Sequence, residues 1–166
     1  GSVAISLLSD LGYSVIASTG RLSETDYLKG LGAQSIIDRN ELSEPSRPLG
    51  KERWGGAIDS VGSQTLVNVL AQTNYGGAVS ACGLAQGMDL PATVLPFILR
   101  GVSLVGIDSV MAPMEKRERA WKRLSKDLNM DKLGKMVVET TLEEIPSFAQ
   151  TIIDGQVRGR VVVNIA

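Results

Sequence analysis

Tyr13-Ser-Val-Ile-Ala-Ser-Thr-Gly-Arg21 reads as a short buried strand that stops at two hydroxyls, a glycine and an arginine. Ahead of it, Gly1-Ser2 runs straight into an apolar helical segment from Val3 to Leu11. Helix, strand and polar rim in that order make the second half of a nucleotide-binding βαβ unit, where the end of the second strand meets the adenosine ribose. A carboxylate at that point would bind the 2′-hydroxyl of NAD. Ser18 and Thr19 stand there instead, with Arg21 two residues on. That set suits a 2′-phosphate and therefore NADP. The bland reading is a polar strand end with a solvent arginine, and the position after helix and strand weighs against it. The first strand of the unit and most of its glycine turn are missing before Ser2, so the sequence is expected to be a fragment.

Hydrophobic residues make up 43% of the 166 residues and charged residues 21%, as in ordinary globular domains, and the net charge is −1. This balance gives no electrostatic case for a nucleic acid or an acidic membrane as partner. No run approaches the roughly 18–20 apolar residues of a membrane span. Cys82 is the single cysteine and histidine is absent. An intrachain disulfide, a cysteine-based zinc site and every histidine-dependent base are thereby excluded from these residues. No metal site and no catalytic residue are expected within the chain. The hard chemistry must come from a cofactor or from groups supplied elsewhere.

Apolar runs alternate with helix-period segments throughout, which predicts an α/β fold: a Rossmann-like, doubly wound parallel sheet without its first strand. Strands are expected at 15–17, 35–37, 56–59, 77–82, 102–107 and 160–165. Helices are expected at 3–11, 24–31, 64–72 and 114–127, with a last one near 142–153 and a single turn at 96–99. The polar stretch 40–53, with Pro45 and Pro48, reads as a surface loop. No repeat and no second domain are visible, so residues 1–166 are read as one NADP-binding domain fragment. In the usual strand order the missing strand is central, and its loss leaves unpaired backbone groups on both sides of a gap.

The ends of the predicted strands supply the candidate contacts. Arg39 ends the strand next to that of Arg21. It could share the adenosine phosphate, stack on the adenine, or be a surface charge beside Asp38, and the residues alone leave these open. Asp59 reads as the cap of a tight turn, while Val61 and Gly62 lie where a cofactor backbone could pass close to the protein. Gly83 and Leu84 follow the next strand and could meet the nicotinamide half. Cys82 is expected to be a small buried thiol, and Trp121 a core anchor within a solvated, charge-alternating helix.

Several segments together resemble a known family. Ala17-Ser-Thr-Gly-Arg21, Tyr27-Leu-Lys-Gly-Leu-Gly32, Asn74-Tyr-Gly-Gly77, Ala81-Cys-Gly-Leu-Ala-Gln-Gly87, Leu95-Pro-Phe-Ile-Leu-Arg100 and Gly106-Ile-Asp-Ser-Val110 are similar to the acrylyl-CoA reductase and quinone oxidoreductase group of the zinc-free medium-chain dehydrogenases/reductases. The resemblance covers essentially the whole chain. It implies an NADPH-dependent enzyme that reduces an activated carbon–carbon double bond, acryloyl-CoA to propionyl-CoA. Hydride would go from the nicotinamide to the β-carbon and a proton to the α-carbon.

The resemblance places the 2′-phosphate site on Thr19, Gly20, Arg21 and Arg39, and the nicotinamide side on Leu84, Ile98 and Ser109. A further cofactor contact falls on Gly155, where relatives can carry asparagine, so only backbone remains there. It also implies an N-terminal catalytic domain outside these residues, without which the chain is expected to be inactive. A cytoplasmic homodimer joined through the apolar edge strand Val102-Ser-Leu-Val-Gly-Ile107 is expected. A quinone reductase on the same scaffold and a non-catalytic nucleotide-binding module remain the alternatives.

Overall fold

The computed structural model describes residues 1–165. The chain runs α1 (Ser2–Asp10), β1 (Ile16–Thr19), α2 (Thr25–Gly30), β2 (Ser35–Asp38), β3 (Trp54–Asp59), α3 (Ser63–Ala71), β4 (Thr73–Ala81), α4 (Leu95–Arg100), β5 (Ser103–Gly106), α5 (Met114–Asp127), α6 (Met130–Gly134), β6 (Val137–Thr141), α7 (Ile145–Ile153) and β7 (Arg160–Asn164). Short 3₁₀ turns at Leu22–Glu24 and Arg39–Leu42 precede α2 and follow β2. Among these residues no helix is long and apolar enough to cross a membrane.

All strand pairs are parallel, and they form three separate sheets: β1–β2, β3–β4–β5 and β6–β7. Among the described residues β1 and β3 do not pair, so the first two sheets are separate. The β6–β7 pair is a departure from the expected single sheet. Its first strand, Val137–Thr141, lies outside the strands that the sequence predicts.

Each of the first two sheets has its own apolar layer. Ile5 of α1 packs with Val15, Ala17, Leu28, Leu31, Ala33 and Met136. Leu66, Val69 and Leu70 of α3 pack with Leu42, Val79 and Val102. Alternation along the strands follows the pleat: Val79 is buried, whereas Ile58 and Val105 on the other face are half-exposed. The second layer therefore has helix cover on one face only.

The polar stretch 40–53 is not loose. Asn68 on α3 is 1% exposed, and its amide nitrogen donates to the carbonyls of Leu42 (2.9 Å) and Glu44 (2.7 Å). Its oxygen accepts from Ser46 Oγ at 2.5 Å. Arg100 donates to the carbonyls of Gly50 (2.6 Å), Ala71 (2.9 Å) and Thr73 (3.3 Å), and pairs with Glu52 at 3.5 Å. Buried donors and acceptors must be satisfied, and here side chains from α3 and α4 satisfy the loop's backbone.

Two expectations fail. Trp121 is 69% exposed, because α5 buries none of its residues and so offers no core to anchor. Cys82 is exposed just past the end of β4, where its thiol donates to the Asp59 carbonyl at 3.2 Å. The small side chains before it bury the strand but not the residue that follows it.

Gly32 joins α2 to the strand that follows and sits against the end of α1. Its φ is +114°, and a side-chain carbon there would fall on Ser9 Cβ and Oγ. Replacing it with alanine should destabilise the fold by about 1–3 kcal/mol through backbone strain alone, with overlap adding to this. Gly30→Ala, where a side-chain carbon meets open space at the end of α2, should stabilise by about 0.4–1 kcal/mol. Urea unfolding of the two variants checks the pair, and equal effects would contradict the packing described.

Candidate functional site

Parallel pairing puts the carboxyl ends of β1 and β2 side by side, with Thr19 opposite Asp38. The hydroxyl of Thr19 accepts the Arg21 N–H at 3.1 Å and holds the turn that follows the strand. The guanidinium carbon of Arg39 lies 3.4 Å from where a side-chain carbon would stand on Gly20. A larger residue at position 20 would meet that guanidinium. The Arg21 guanidinium donates to the Val157 carbonyl at 3.1 Å. Asp38 turns its carboxylate to the Asn40 N–H at 2.9 Å, capping the 3₁₀ turn. Thr19, Gly20, Arg21 and Arg39 thus form one cluster at the ends of two strands, and Ser18 faces solvent beside them. Gly155 lies two residues before the carbonyl that Arg21 holds, at φ +67°.

A second cluster forms where β3 and β4 end. Asp59 is buried, and its carboxylate accepts the Gly62 N–H at 2.9 Å, so it caps the strand-to-helix turn as the sequence suggests. The Cys82 N–H donates to the Asp59 carbonyl at 2.8 Å, and the Gln86 N–H to the Val61 carbonyl at 2.8 Å. Gly62 has φ +76° and pairs with Gly87, and a side-chain carbon on Gly62 would fall on the Gly87 carbonyl. The two loops are zipped together only because Gly62 lacks that carbon. Val61, Gly62, Gly83 and Leu84 come together here, with the Leu84 side chain exposed.

Ile98 is exposed on α4, and Ser109 stands in the loop after β5. Among the described residues neither joins the hydrogen bonds of the two clusters.

Beyond Gly155, the C-terminal side of the first cluster leaves no local sequence signal. Arg158 pairs with Glu24 at 3.3 Å and lies over the Tyr27 ring, 4.5 Å from its centroid. Tyr27 in turn donates to Ser2 Oγ at 3.0 Å, at the start of α1. Partners more than a hundred residues apart leave no local signal. Gln86 was also missed: its oxygen accepts from Thr65 N–H (3.2 Å) and Oγ (2.8 Å) at the start of α3.

Comparison with known proteins gives the cluster its context. The profile of the zinc-binding dehydrogenases matches residues 1–126. Acrylyl-CoA reductase AcuI of Ruegeria pomeroyi is 52% identical over 166 residues, which are 99% of this chain and 50% of the relative. The yhdH oxidoreductase of Salmonella enterica, in a crystal structure with NADP, superposes with a TM-score of 0.97 at 54% identity, covering 100% of this chain and 51% of that one. The yhfP protein of Bacillus subtilis, with NAD bound, superposes at 0.93 with 46% identity, covering 99% and 51%. The chain spans about half the length of these relatives. Among the described residues no group of three histidine, cysteine, aspartate or glutamate side chains could hold a metal ion. With the profile matched over most of its length and the backbone superposing closely on its relatives, the chain belongs to the zinc-binding dehydrogenase family.

Proposed function

We propose that this chain is the cofactor domain of an NADPH-dependent reductase of activated carbon–carbon double bonds, acting on acryloyl-CoA to give propionyl-CoA. The observation that carries the reading is that Arg21 follows β1 and Arg39 follows β2 on the same sheet edge, with the Arg39 guanidinium against Gly20, and with Ser18 and Thr19 where a carboxylate would repel a phosphate. Two guanidiniums and a hydroxyl-held turn fit the charge and hydrogen-bonding demands of a 2′-phosphate. The relatives support it: one is named an acrylyl-CoA reductase, and another was crystallised with NADP.

In this reading Thr19, Gly20, Arg21 and Arg39 hold the 2′-phosphate, with Ser18 beside them. Val61, Gly62 and Gly83 let the dinucleotide pass close to the backbone. Leu84, Ile98 and Ser109 flank the nicotinamide, and Gly155 contributes backbone. NADPH bound there supplies the hydride. The chain's own residues bind and orient, and none is assigned a proton transfer. The substrate pocket, the glycine turn ahead of α1 and a strand between β1 and β3 belong to the rest of the protein. Residues 1–166 are on this account one domain of a larger cytoplasmic enzyme.

We also propose that the enzyme is a homodimer joined through β5. This strand pairs only with β4 among the described residues, and Val105 and the following Ile107 are half-exposed. An unpaired, apolar strand edge favours pairing with its own copy across a two-fold axis.

In the full-length protein, Arg21→Ala should weaken NADPH binding about tenfold to a hundredfold, the worth of a charge-assisted hydrogen bond, and leave NADH nearly unchanged. Titration with both nucleotides checks this, and equal losses would sink the phosphate assignment. Steady-state turnover should favour acryloyl-CoA over a simple quinone; the reverse order would make the enzyme a quinone reductase, and NADPH binding without turnover a nucleotide-binding module. Val105→Pro should shift the protein towards monomer in sedimentation, since proline removes a backbone donor from the strand. An unchanged dimer would place the interface elsewhere.

A further inference from the structure

The loop between β5 and α5 is held by charged side chains at its two ends. Asp108 Oδ1 accepts the N–H groups of Val110 and Met111, each at 2.9 Å. Arg117, one turn into α5, reaches back: its Nη2 donates to the carbonyls of Ser109 (2.8 Å) and Val110 (2.9 Å), and its Nε to that of Ala112 (3.1 Å). Val110 and Met111 are each 80% exposed, so apolar burial does not set the path of this loop. Without burial, a short loop keeps one shape only if its backbone groups are tied. Here the ties come from one carboxylate and one guanidinium. Arg117 thereby departs from the charge-alternating surface of its helix, whose other members include ordinary pairs such as Glu118 with Lys122.

We propose that Asp108 and Arg117 are positioning residues for the reductase: together they fix the backbone at Ser109 beside the carboxyl end of β5, where the nicotinamide half is held. The inference rests on the proposed reading of Ser109 as a contact on that side. The residue types suit the task. A guanidinium is a planar fork that can serve several carbonyls at once, whereas an ammonium is a point charge. One carboxylate oxygen takes two amides, and the oxygen of an asparagine side chain can do the same. The amides of Met111 and Val110, with the nearby charges of Arg117 and Lys116, hold the Asp108 carboxyl below the usual carboxylate range, and it is ionised near neutrality.

The test uses the full-length protein and the variants Arg117→Met, Arg117→Lys, Asp108→Ala and Asp108→Asn. Affinities are measured for NADPH and for adenosine 2′,5′-bisphosphate, which probes the adenosine end alone, together with kcat, KM and melting temperature. Arg117→Met and Asp108→Ala should lower kcat by roughly tenfold to a hundredfold, the effect expected of a misplaced contact near the reacting atoms. They should weaken NADPH by about threefold to tenfold, the worth of a lost hydrogen bond, and leave the bisphosphate affinity unchanged. Asp108→Asn should restore most of the loss, and Arg117→Lys should restore little. The inference is overturned if both truncations leave kcat and NADPH affinity at the wild-type level. It is equally overturned if bisphosphate affinity or melting temperature falls in step with kcat, since the role would then be structural. A wild-type protein that binds neither nucleotide would remove the cofactor reading itself and this inference with it. Wild-type binding of both, with variants that behave alike, would remove the inference alone.

Discussion

In a parallel pair both strands run in the same sense, so their carboxyl ends share an edge and the chain must cross back along the sheet before it can add another strand. That constraint organises this molecule. The crossovers between paired strands contain α2, α3, α4 and α7. Each return delivers a new turn to the same edge of its sheet. Thr19 and Asp38 meet in this way, as do Asp59 and Cys82, although each pair is separated by about twenty residues of sequence. Residues with no local relation become neighbours because a strand's direction decides which end of it does the work.

The same constraint makes the polar ties necessary. A crossover that packs an apolar helix on the sheet leaves its connecting loop with backbone groups half out of water. Asn68 and Arg100 answer for the stretch after β2, and Asp59 and Gln86 answer for the turns around α3. Removing one partner from such a set leaves a buried group unsatisfied, which costs more than the bond itself contributes. These side chains therefore hold the loops in register with the strands, and the candidate contacts ride on those loops.

What the sequence made legible follows from which forces are local. The strands before β6 are runs of small or branched apolar residues closed by glycine or charge, and the helices between them carry apolar faces. Strand-end residues could be named because position in a βαβ unit is a matter of counting. Val137–Thr141 holds four β-branched residues in five, but its residues do not alternate apolar and polar as a half-buried strand does, so its period gives no strand signal. The exposure of Trp121 and Cys82 could not be read from their own segments, since it depends on what packs against them. The bond from Arg21 to Val157 and the seat of Arg158 over Tyr27 join opposite ends of the chain, and no window of sequence contains both partners.

The hold of Arg21 on the Val157 carbonyl has a thermodynamic side. A free arginine side chain loses about 2 kcal/mol of rotamer freedom when it is fixed. Here one of the five guanidinium donors is engaged within the chain, so that ordering belongs to folding and not to the arrival of an anion. On the proposed reading, the remaining donors are the ones that would meet the phosphate. Recognition by such a group is close to rigid docking, with little entropy left to lose and little reason for the side chain to move. It also makes the far C-terminal turn part of what fixes Arg21: whatever loosens residues 155–158 returns to that side chain the freedom that folding had taken away.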